Sequence, residues 1–115
     1  MESPPKKVLI DAALTGSFHN VVARYLDGKW GLLSGVWSVS FEEIFEEAKR
    51  RSLECFVVTQ PRNEGYWLSE AEQGFSVYYY ERGQKTEIEH FPNLEQAFSK
   101  WLYKNLENYQ LKVRP

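Results

Sequence analysis

From Gly74 to Phe91 aromatic and aliphatic residues alternate with polar ones on both sides of Arg82-Gly83-Gln84-Lys85. That period of two predicts a pair of antiparallel strands joined by a tight turn. With Gly83-Gln84 as a two-residue II′ loop, glycine supplying the positive φ, Arg82 pairs with Lys85, Tyr80 with Glu87, Tyr79 with Ile88 and Tyr78 with Glu89. Phe75, Val77, Tyr79 and Ile88 then share one face, which needs cover, and His90 falls on the same side. Tyr78, Tyr80, Arg82, Glu87 and Glu89 share the other. This second face is aromatic and acidic, and with Glu70 and Glu72 nearby it forms the expected partner-binding set.

The rest of the chain supplies the cover. Residues 1–7 read as a loose end, with paired prolines and charges. Ser17 can cap a helix carrying Phe18, Val21, Val22, Tyr25 and Leu26, with Gly28 as its stop. A hairpin through Asp27-Gly28, pairing Val21–Leu26 with Lys29–Leu33, fits the same residues, and periodicity leaves both open. Gly31, Ser34 and Gly35 predict a covering loop that offers Trp30, Leu32, Leu33, Val36 and Trp37 to the core. Ser40-Phe-Glu-Glu43 is a capping box, opening a helix with a stripe of Phe41, Ile44, Phe45 and Ala48. Its acids come early and its bases, Lys49, Arg50 and Arg51, come late, as the helix dipole favours.

Cys55–Thr59, β-branched and aromatic, reads as a strand ending at Gln60-Pro61. Asn63–Gly65 predicts a turn, Tyr66–Leu68 a short strand, and Glu70–Gly74 the turn into the hairpin. Asn93 then caps a last helix bearing Leu94, Ala97, Phe98, Trp101, Leu102 and Leu106, and residues 109–115 are expected to fray. The fold class is α+β: one domain over 1–115, an antiparallel sheet of three to five strands packed against helices, including a carboxy-terminal one.

A chain of 115 residues suits a single core. Its 43% hydrophobic and 26% charged residues are ordinary for a globular protein, and mean hydropathy of −0.53 speaks against a membrane protein. The short apolar group Val8–Ile10 is broken by Asp11 and lacks the length of a signal-peptide core, so a cytoplasmic location is expected. The single Cys55 cannot form an internal disulfide. A net charge of −2 argues against wrapping nucleic acid, which needs a basic surface. Between Glu54 and Glu95 the acids outnumber Arg62, Arg82 and Lys85, a bias that would attract a basic partner if those side chains converge.

Candidate chemistry is sparse. His19 and His90 have no second positioned group in the pattern, and Cys55 opens an apolar segment where it reads as a small core residue. No Cys/His spacing suits zinc, and no glycine pattern suits a phosphate, so neither a metal, a cofactor nor catalysis is expected. Glu87 and Glu89 sit about 7 Å apart on one strand without a visible pocket, an arrangement that suits binding better than acid–base work. Trp30, Trp37, Trp67 and Trp101 are mostly assigned to the core.

The run Gly74-Phe-Ser-Val-Tyr-Tyr-Tyr-Glu-Arg-Gly, the acidic return strand to Phe91 and Leu94-Glu-Gln-Ala-Phe98 resemble the small bacterial immunity proteins of polymorphic toxin systems, including contact-dependent growth inhibition. The likeness covers about the carboxy-terminal half. It implies a cytosolic, non-enzymatic inhibitor that binds a basic cognate toxin domain, often a nuclease, and covers its active site or another required surface. The alternative is an adaptor or subunit domain using the same face to hold a structural protein partner.

Overall fold

A computed structural model describes residues 3–111 of the chain. Its helices and a three-stranded antiparallel sheet, in the order β1-β2-β3, form an α+β body measuring 48 × 32 × 21 Å. The first helix, α1 (Lys6–Thr15), begins directly after Pro5 and ends at Gly16, whose left-handed φ of 77° lets its N–H reach the Ala12 carbonyl. Lys6 and Lys7 of the expected loose end are therefore helical. Leu9, Ala12, Ala13 and Leu14 bury its inner face, and its packing on α2, α4 and α5 compensates for the missing side-chain cap.

Helix α2 (Phe18–Tyr25) settles the choice between helix and hairpin. Asp27 and Gly28 do adopt positive φ, but they close the helix: the Gly28 N–H bonds back to the Val22 carbonyl. A 3-10 turn (Trp30–Leu32) and the single-turn α3 (Leu33–Val36) follow. Only Leu33 from this stretch is fully buried; Trp30 is 49% exposed, stacked on Tyr109, and Leu32 is also exposed.

The capping box forms as expected at the start of α4 (Phe41–Arg51): the Glu43 N–H donates to Ser40 Oγ at 3.1 Å, and Ser40 N–H donates to the Glu43 carboxylate at 3.0 Å. Cys55–Thr59 is not a strand. Leu53–Phe56 is a 3-10 turn that leaves Cys55 exposed, and the segment beyond touches the sheet through the Val58 N–H to Leu68 carbonyl bond. Its apolar residues are used one by one, Phe56 against Phe98 and Trp101, which needs no ladder.

The sheet comprises β1 (Gly65–Ala71), β2 (Gly74–Glu81) and β3 (Gln84–Phe91). Its helix-facing side carries Leu68, Val77, Phe75 and Phe91, packed with Phe98 and Leu102 of α5 (Leu94–Asn108). Asn93 caps α5, accepting from Gln96 N–H at 2.9 Å. After the helix Leu111 is buried, so the chain stays docked there, and the expectation for 112–115 lies outside the described residues.

The β2–β3 register differs from the expected one. The turn residues are Arg82 and Gly83, with φ of 52° and 78°, the two positive values of a I′ turn. Glu81 thus opposes Gln84, and Tyr80 opposes Lys85. A bulge then places Glu87, φ 53°, and Ile88 against Tyr78 before pairing resumes at Val77 with Glu89 and Phe75 with Phe91. Moving the turn by one position shifts each pair by two residues and keeps the faces, whereas the one-residue bulge reverses them beyond it. Phe91 turns toward α5, while Ile88, 49% exposed, and His90, opposite Ser76, take the far side. The reversal brings Phe91, half-buried, against the core and leaves Ile88 and His90 outside. Gly74 makes the close approach possible: a Cβ there would lie 2.3 Å from the Phe91 carbonyl oxygen.

Candidate functional site

The residues expected to form one binding face occupy separate places. Tyr78 is on the face away from α5 but only 1% exposed, its hydroxyl 2.8 Å from Ser69 Oγ and its ring beneath the Lys85 ammonium at 4.7 Å. Tyr80 is half-buried on the same side, and Arg82 lies in the exposed turn. Glu87 and Glu89 belong to the helix side instead. Glu87 accepts from the Tyr66 hydroxyl at 3.2 Å, and Glu89 pairs with Lys100 of α5 at 3.5 Å. Glu70 and Glu72 are exposed at the opposite end of the sheet from Arg82, since the two hairpin turns mark its two ends. The expected aromatic and acidic surface is therefore divided, the bulge having separated its halves.

What the fold brings together is a groove along the outer side of α5. Glu95, Gln96, Ser99, Lys100 and Tyr103 recur at helical spacing along its floor, with Phe91 of β3 and Phe45 of α4 on its flanks. Its volume is about 550 Å3, and from residue 95 to 103 the helix rises about 12 Å. The opposite stripe of α5, Phe98, Leu102 and Leu106, is spent on the core. Helical period in the sequence picks out the apolar stripe alone; that Phe45 and Phe91 flank the other side is decided by the fold.

The groove borders the free edge of the sheet. Among the described residues β3 pairs with β2 alone, and Gln84–His90 are all exposed. Of the acids near this border, Glu89 is joined to Lys100, Glu87 reaches Tyr66, and Glu95 is exposed in the first turn of α5. Burial, and then the charge of Glu87, holds the Tyr66 phenol above its ordinary range, so it remains a hydrogen-bond donor. Across the groove Lys49 lies over the Phe45 ring at 5.3 Å while paired to Glu46 at 3.0 Å. Glu46 is thus paired with Lys49 and Glu89 with Lys100, and the groove's own lining adds Glu95.

On α4 the carboxylates are tied into local pairs. The Ser40 N–H, and next the Lys6 ammonium, hold Glu43 below its ordinary range; Arg50 and then Arg51 do the same for Glu47. His90 and His19 are both exposed, so the expected burial of His90 does not occur. Cys55 is likewise at the surface rather than in the core. Among the described residues no group of three or more His, Cys, Asp or Glu side chains is placed to hold a metal ion, and no helix is long and apolar enough to cross a membrane.

No protein-family model, curated protein or solved structure matches the chain.

Proposed function

We propose that this chain is an immunity protein, a non-enzymatic inhibitor that binds a cognate toxin domain in the cytoplasm and covers its active site or a required surface. The observation that carries the reading is the α5 groove, open, flanked by Phe45 and Phe91, with Glu95 in its lining and Glu89 beside Lys100 at the strand edge. Aromatic side chains supply contact area at an interface, and charge of one sign around them selects an oppositely charged partner and speeds its approach. A nuclease domain is such a partner: its substrate site is basic because it must hold phosphates. The hairpin and terminal helix that resemble immunity proteins also build this groove, through Phe91 and the Glu95–Tyr103 stripe.

Co-expression tests the proposal. The toxin domain encoded beside this chain should arrest growth alone, be neutralised by the chain, and co-purify with it. Unrelieved toxicity with no co-purification would reject the reading.

A further inference from the structure

Resting on that reading, the groove also specifies the form of what enters it. We propose that the partner supplies an extended segment that pairs with β3 over Ile88–Phe91, lowering an apolar side chain into the α5 groove and setting a lysine or arginine beside Glu89 and Glu95. The edge and the groove meet at Phe91, which ends β3 and also flanks the groove. The bulge at Glu87 interrupts the edge, so pairing is confined to the regular stretch beyond it.

Strand addition supplies main-chain hydrogen bonds for affinity, with alternate side chains reading the adjoining surface. Residues i and i+2 of an added strand point the same way, toward α5, at a spacing of about 7 Å. The groove, about 12 Å long, accommodates that pair. One of the two meets the Phe45 and Phe91 rings, and the other meets Glu89 and Glu95, two carboxylates beside the one ammonium of Lys100. Charge complementarity therefore selects a basic residue for the second position. A segment with an acid there would meet like charge and lose its solvation for no return.

The test uses the full chain, labelled with 15N, and the hexapeptide acetyl-Thr-Phe-Thr-Lys-Thr-Lys-amide as probe. Amide shifts should concentrate at Ile88–Phe91 and along residues 95–103. Replacing the peptide lysines with glutamate, or its phenylalanine with serine, should each weaken binding at least tenfold. Gln96→Trp, which fills the groove from an exposed helix position, should do the same without lowering the melting temperature. No binding, equal binding of the lysine and glutamate peptides, or shifts confined to the Tyr78 face would overturn the inference. The toxin domain separates the two levels. If Gln96→Trp binds and neutralises it as the parent does, the strand-addition inference fails while the immunity reading stands; if the parent itself neither binds nor neutralises it, the immunity reading fails whatever the peptide does.

Discussion

Tyr78 offers the sharpest test of the sheet as described. Its position in an alternating strand makes it a surface residue, yet its ring is almost wholly covered and its hydroxyl is held by Ser69. A tyrosine buries roughly 150–250 Å2, and at about 25 cal/mol per Å2 that amounts to roughly 4–6 kcal/mol as an upper limit. Among the described residues the helix packed on the sheet is α5, on the other face, so neighbouring side chains and water can occupy part of the space left by truncation. We therefore expect Tyr78→Ala to cost about 3 kcal/mol. Tyr78→Phe keeps the ring and removes one buried hydrogen bond, leaving Ser69 without that partner, for a cost of about 1–2 kcal/mol. Tyr80→Ala, at a half-buried position on the same face, should cost about 1 kcal/mol. Urea unfolding followed by circular dichroism measures all three, with unchanged m-values confirming that the unfolded state is not the cause. A Tyr78→Ala midpoint equal to the parent's, or one no lower than that of Tyr80→Ala, would show that the ring is not buried as argued.

Other consequences follow from single residues. Gly74→Ala should destabilise by about 2–4 kcal/mol, because φ of 125° and the approach of the Phe91 carbonyl both oppose a Cβ, whereas Gly83→Ala, with open space and φ of 78°, should cost about 1–2 kcal/mol; equal losses in urea would remove the steric argument. The Glu43 carboxyl titrates below its ordinary range in the folded chain, so its contribution to stability is present above that range and disappears as pH falls through the lowered midpoint. Lys6→Ala should raise that midpoint only part of the way, since the Ser40 N–H remains; carbon-detected NMR titration would show it, and an unmoved midpoint would exclude the Lys6 contact. Cys55 should react with a maleimide in the native protein at the rate of an exposed thiol, a result that protection until denaturant is added would contradict.

Elements whose instructions are local were legible in the sequence. Ser40 and Glu43 lie within one turn of each other, and Asn93 and Gln96 likewise, so their caps need nothing distant, and the stripes on α4 and α5 follow from helical period alone. Pro5 and Gly16 bracket α1 in the same manner, a start and a stop that the flanking charges obscured. The return strand is different. Whether Glu87 bulges depends on which residues of β3 gain by meeting α5, a helix that the chain makes later. Phe91 took the inward place, and Ile88 and His90 the outward ones. The outcome moved Glu87 and Glu89 away from Tyr78 and placed Phe91 beside the groove, so the tyrosines, the acids and the pocket were assigned to their faces by tertiary packing: a one-residue change in pairing costs little locally but exchanges every side chain between core and solvent.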